Sequence, residues 1–278
     1  MVVGTSVPDA TPRVTREMQR FGTIVVVGGG CYGGYYARQL ARAERAGALA
    51  WDAVVVVDRD PHCAVARLPA AERPRGLRVE AVEWREFFGA YLGAAAADPG
   101  PHEHDAIVPS PLMPHLMADW LIDRARARWP GRPVTTEPLV QPPAVPWQRA
   151  ADDGTHYVSF AEWMCPINCI EPPRCPHTRG DRTWSLPPSL TRYVEGEREA
   201  GRPVEGPFVF HCLHRAFGVG MLDVRDILAA DRAIALRGGE SAAAAFLVGT
   251  ASHCHGALRR IVLGQGSDGS PGNATVPS

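Results

Sequence analysis

The sequence predicts an α/β fold built on a doubly wound, mostly parallel sheet. Three observations carry this expectation. Apolar strand-like runs alternate with helical segments along most of the chain, a glycine-rich turn joins the first run to the first helix, and one Cys- and Pro-rich stretch interrupts the alternation. The 278 residues, 45% of them hydrophobic, are enough for one large domain or for one domain with a smaller module.

Residues 23–27 (TIVVV) form a buried-strand pattern, followed by Gly28-Gly29-Gly30-Cys31-Tyr32-Gly33-Gly34 and a helical composition over 35–45. Residues 53–57 (AVVVV) give a second buried strand that ends at Asp58. A third strand is expected over 77–84 with a helix over 85–97, and a fourth over 104–109 with an amphipathic helix over 115–128. Residues 134–139 supply a short fifth strand. Proline then becomes frequent, and residues 151–205 are rich in Cys, Pro, Trp and Arg with little periodicity. Alternation resumes with a strand at 207–210 (PFVF), a helix over 224–235, a strand at 244–250 (AAFLVGT) and a helix over 256–262. The expected organisation is a flexible arm at 1–20, an α/β domain at 21–150 and an irregular Cys/Pro-rich insertion at 151–205. Residues 206–263 then complete the sheet or form a catalytic subdomain, and 264–278 form a disordered tail.

The formal net charge is -1, which gives no global reason to expect nucleic acid or an anionic membrane as partner. No apolar run approaches the roughly 18 residues that a membrane span requires. The chain contains no lysine, so all 29 basic residues are arginine. That removes Schiff-base catalysis, a P-loop lysine and any Tyr-x-x-x-Lys dyad. Seven cysteines stand at 31, 63, 165, 169, 175, 212 and 254, a pattern unlike a small secreted disulfide scaffold. The first 20 residues lack the apolar core of a signal peptide, so a cytoplasmic protein is expected.

Gly28, Gly30 and Gly33 satisfy G-x-G-x-x-G between a strand and a helix. In that setting Gly28 makes the tight turn, Gly30 lets a pyrophosphate approach the backbone, and Gly33 lets the helix pack closely. Asp58, 25 residues after Gly33, is suited to accept hydrogen bonds from a ribose diol. This segment, over roughly residues 22–140, resembles the Rossmann NAD(P)/FAD-binding superfamily. The resemblance implies a Rossmann-like sheet and an NAD(P) site at Gly28, Gly30, Gly33 and Asp58. Ser110, at a later strand end, joins the cofactor-binding candidates. Asp58 favours NAD, whereas Arg59 beside it could hold a 2′-phosphate.

The stretch from Trp163 to Thr178 reads C-x3-C-x5-C-x-H. Cys165, Cys169, Cys175 and His177 are the metal-ligand candidates, for zinc or an iron–sulfur cluster; Cys212 or Cys254 could supply the fourth ligand instead of His177. Redox thiols or buried free cysteines are the competing readings. Two further runs, His211-Cys212-Leu213-His214 and His253-Cys254-His255, each follow an apolar strand. His211, His214, His253 and His255 are therefore the candidate acid/base groups. In extended backbone, His253 and His255 would face one side with Cys254 opposite. Arg174, Arg179 and Arg182 could clamp an anionic substrate.

These readings converge on an NAD(P)-dependent oxidoreductase with a Cys-ligated metal or cluster beside the cofactor crevice, acting on a small molecule that could be anionic. A non-enzymatic nucleotide or redox sensor and an S-adenosylmethionine-dependent methyltransferase are the alternatives. Homo-oligomerisation stays open.

Overall fold

The computed structural model describes residues 18–163, 165–167 and 169–266. Strand β1 (Gln19–Val27) leads through the glycine turn into helix α1 (Cys31–Arg45) and strand β2 (Leu49–Asp58). Strand β3 (Leu77–Ala81), helix α2 (Trp84–Ala97), strand β4 (Ala106–Val108) and helix α3 (Leu116–Arg128) follow. Then come β5 (Val134–Glu137), β6 (Trp147–Ala150), β7 (His156–Ser159) and helix α4 (Leu186–Glu199). The chain closes with β8 (Glu205–His211), β9 (Leu213–Ala216), β10 (Val219–Asp223), helix α5 (Val224–Glu240), β11 (Ala244–Ala251) and β12 (His255–Leu263).

The fold is mixed α/β, with two six-stranded sheets rather than one. The first has the order β3-β2-β1-β4-β10-β9. Its β3, β2, β1 and β4 run parallel, while β10 and β9 are antiparallel additions. The second runs β6-β7-β12-β11-β8, with β5 also paired to β12, and only its β8–β11 pair is parallel.

Alternation along β1 and β2 explains the layering, because successive side chains leave opposite faces of a strand. Ile24, Val26, Val54 and Val56 pack with Ala37, Leu40 and Ala43 of α1. Val25, Val27, Val55 and Val57 enter a core shared with α2, α3, α5 and, beyond them, Phe246, Val248 and Ile261 of the second sheet. On the far face of that sheet, Leu186, Leu190 and Val194 of α4 cover Val158, Leu247 and Leu258. The order of layers is helix, sheet, helices, sheet, helix.

Four expectations change. The short fifth strand belongs to the second sheet, where it pairs with β12. The segment 151–205 is not uniformly irregular. A hairpin β6–β7 turns at Gly154 (φ 80°), and α4 has Pro187 and Pro188 in its first turn, where the absent N–H costs nothing. The expected helix over 256–262 is strand β12, because pairing with β11, β5 and β7 overrides the local composition. At the N-terminus, β1 already begins at Gln19, inside the expected arm. Gly264 is held by Pro133 and Arg132; the rest of the expected tail, from 267, and most of the expected arm lie outside the described residues.

Candidate functional site

The glycine turn is built as its spacing requires. Gly28 has φ 85°, a left-handed conformation that favours glycine, and its N–H donates to the Val57 carbonyl at 2.9 Å. A Cβ on Gly33 would lie 1.9 Å from the Gly28 carbonyl oxygen, so only glycine lets α1 approach the turn. A Cβ on Gly30 would meet nothing within 4 Å; it points into open space. A cavity of about 530 Å³ lies there, lined by Gly28, Gly30, Gly33, Asp58, Trp84 and Ser110, among others. Asp58 does not wait empty for a ligand. Its Oδ2 accepts the Gly29 N–H at 2.7 Å and its Oδ1 accepts the Asp60 N–H at 2.9 Å, and each oxygen keeps a further lone pair. The Arg59 guanidinium is exposed, 3.5 Å from the Glu83 carboxylate.

A second cavity, about 640 Å³, adjoins the first at Ser110, which lines both. Its walls come from α1 (Tyr36), the end of β4 (Pro109, Ser110), β7 (Tyr157, Ser159), the loop at 161–171, and the ends of β8–β9 and β11–β12. The two His/Cys runs meet here although their strands lie outside the first sheet. β8 and β11 are parallel neighbours, with His211 opposite Ala251, and the chain crosses from the second sheet to the first at Cys212.

The four candidate histidines separate into two pairs. His214 and His255 line the chamber. His211 and His253 pack edge to face, ring centroids 4.8 Å apart, and are absent from its lining. His253 and His255 do not share a side, because residues 252–255 form a tight turn rather than extended backbone: the Ser252 N–H donates to the His255 carbonyl at 2.8 Å. His253 Nδ1 instead meets the Ser185 hydroxyl at 2.8 Å, and His255 Nδ1 meets Ser159 at 2.9 Å. Burial lowers the pKa of His211, His253 and His255, favouring neutral rings at pH 7.

Cys165, Cys169 and Cys212 also line the chamber. Burial pushes the Cys212 and Cys254 thiols up to about 12 and raises Cys165, so these three are protonated in the bare protein. Cys175 is opposite in character. Backbone N–H groups of Thr178 and then His177, with the Thr178 hydroxyl, draw its thiol below the ordinary value. The His177 ring lies flat against Trp163, centroids 4.4 Å apart. Cys254 receives the Trp184 indole N–H at 3.2 Å. Among the described residues, no three His, Cys, Asp or Glu side chains converge as a ready metal-binding group.

Glu171 organises this region, and no pattern in the sequence singles it out. It sits within the cysteine loop with φ 49°, a strained value for a side chain of its size, and is 9% exposed. Its carboxylate accepts the Ser252 hydroxyl at 2.6 Å and the N–H groups of His253 and Cys254 at 2.9 and 3.1 Å. Burial alone would raise its pKa, but these three donors hold it below the usual range. Glu171 thereby ties the cysteine loop to the β11–β12 turn. Two of the neighbouring arginines are engaged within the same loop. Arg174 donates to the Arg179 carbonyl, and Arg182 to the carbonyls of Pro172 and Trp184.

One family model, AF_1314_C, described as "Uncharacterized protein, C-terminal domain", matches residues 117–264, more than half of the chain. The chain belongs to this family. The AF_1314_C segment spans α3, the whole second sheet, the cysteine loop and the β9–β10 additions, so most of the chamber wall is family structure while the glycine turn precedes it. No curated protein and no solved structure matches the chain significantly.

Proposed function

We propose that the protein is an NAD(P)-dependent oxidoreductase whose nucleotide lies in the glycine-turn cavity and whose substrate occupies the adjoining chamber. The observation that carries this reading is the meeting of the two cavities at Ser110. One holds the open face of Gly30 and the N-terminus of α1; the other holds His214, His255 and the cysteines. The strand order β3-β2-β1-β4, with all four parallel and helices on both faces, supports reading this part as a Rossmann-like dinucleotide-binding half. The first turn of α1 has no side-chain cap and no acidic residue, which favours a pyrophosphate there. Asp58 favours the ribose diol of NAD over a 2′-phosphate. The cofactor would supply hydride chemistry, and the chain would orient it and handle protons. Trp84 lines the nucleotide cavity, so NADH should quench its fluorescence, and Trp84→Phe should remove that quenching. Wild-type fluorescence unaffected by NADH would sink the reading.

The cysteine loop supports a separate proposal. Cys175, whose sulfur is held by backbone N–H groups, would anchor a zinc ion or iron–sulfur cluster together with Cys165 and Cys169, once the loop draws their sulfurs together. Elemental analysis for zinc, iron and acid-labile sulfide on protein purified without air decides it. Protein free of all three would leave the loop to thiol chemistry.

A further inference from the structure

All 29 basic residues of the chain are arginine, yet none lines the chamber among the described residues. Its charged lining groups are Glu162 and Glu171, and the Glu171 carboxylate is already taken by three donors. Trp147, Tyr157, Trp163 and several prolines make up much of the remaining wall. A small anion has no guanidinium to meet it here and would face two carboxylates.

His255 gives the chamber a polar contact of defined sense. The Ser159 hydroxyl has one proton and three close partners. It lies 2.7 Å from the Ala161 carbonyl oxygen, 2.9 Å from the Ala161 nitrogen and 2.9 Å from His255 Nδ1. A carbonyl oxygen has no hydrogen to give, so the serine proton must go to it. The Ala161 N–H then donates into Ser159 Oγ, and His255 Nδ1 must donate as well. In the neutral ring this leaves Nε2 as a lone-pair acceptor, and Nε2 has no hydrogen-bond partner among the described residues.

We infer that the chamber binds an uncharged, planar, largely apolar molecule whose hydroxyl group donates a hydrogen bond to His255 Nε2, with Ser159 as the positioning residue. This names the substrate class of the proposed site and rests on reading the chamber as its substrate side. It also replaces the expectation of an anionic substrate.

The test uses the full chain with nitrogen-15 labelled histidine and four probes that share one ring: benzyl alcohol, benzyl methyl ether, benzoate and benzylammonium. The free protein should show His255 with its proton on Nδ1; a proton on Nε2 would overturn the inference. Benzyl alcohol should shift the His255 ring signals and bind about fivefold or more tighter than the ether, which lacks the donor. Benzoate should bind more weakly than the alcohol. Benzoate or benzylammonium binding more tightly than benzyl alcohol, or alcohol and ether binding equally, would contradict it. Ser159→Ala should erase the alcohol-over-ether preference while the folded spectrum persists, and a preference that survives would remove Ser159 from its role. NADH quenching, measured on the same sample, scores the nucleotide reading separately.

Discussion

The glycine-turn cavity is lined by the glycine turn and by residues at or just past the ends of β1, β2, β3 and β4, whereas the chamber beside it takes side chains from α1, the end of β4, β7, both His/Cys runs and the cysteine loop. The first works because side chains are missing: Gly28 turns, Gly33 admits the helix and Gly30 leaves space. The second works because side chains from distant elements are pinned by buried hydrogen bonds, above all at Glu171 and Ser159. A site made by omission tolerates no added atoms. A site made by convergence depends on its buried polar links.

The largest effects should fall where each principle is violated outright. Gly33→Ala places a methyl group against the Gly28 carbonyl and should cost about 3 kcal/mol or more in urea unfolding. In the second region the comparable lesion is Arg259→Met. Arg259 is buried and joins Asp119 of α3 to Asp153 and Thr155 of the β6–β7 turn. Its loss strands a carboxylate between α3 and the second sheet and should cost about 3 kcal/mol. If Gly33→Ala proved neutral, the turn would not be the tight device described.

Glu171→Gln should have a smaller effect, about 2 kcal/mol, because one amide oxygen replaces a carboxylate that serves three donors. The effect should depend on pH. A carboxyl whose folded pKa lies below the ordinary value of 4.5 stabilises the fold fully at neutral pH and loses that contribution as pH falls below 4.5. The stability gap between wild type and Glu171→Gln should therefore narrow between pH 7 and about pH 3.5. A gap that stays constant would mean that Glu171 carries no such linkage.

The same contrast explains what could be read from sequence. The β1–turn–α1 unit is local: an apolar run, three spaced glycines and a helical segment, all within 27 residues of chain from Gln19 to Arg45. The second sheet is not local. β12 has a helix-compatible sequence and becomes a strand only because β11 folds back on it and β5 and β7 arrive from more than 90 residues earlier. The strand-end histidines were legible as a group, since each follows an apolar run. Their division was not, because it depends on the turn at 252–255 and on Ser159 and Ser185. Glu171 gave no periodic signal, being one carboxylate between prolines and cysteines in an irregular loop.

The most direct measurement is NADH affinity in wild type and in Gly30→Val, with circular dichroism as the check on folding. A Cβ at Gly30 has no protein atom within 4 Å, so the variant should fold and lose about tenfold or more in affinity by blocking the pyrophosphate position. Equal affinity in a folded Gly30→Val protein, or no NADH binding by the wild type, would contradict the dinucleotide site.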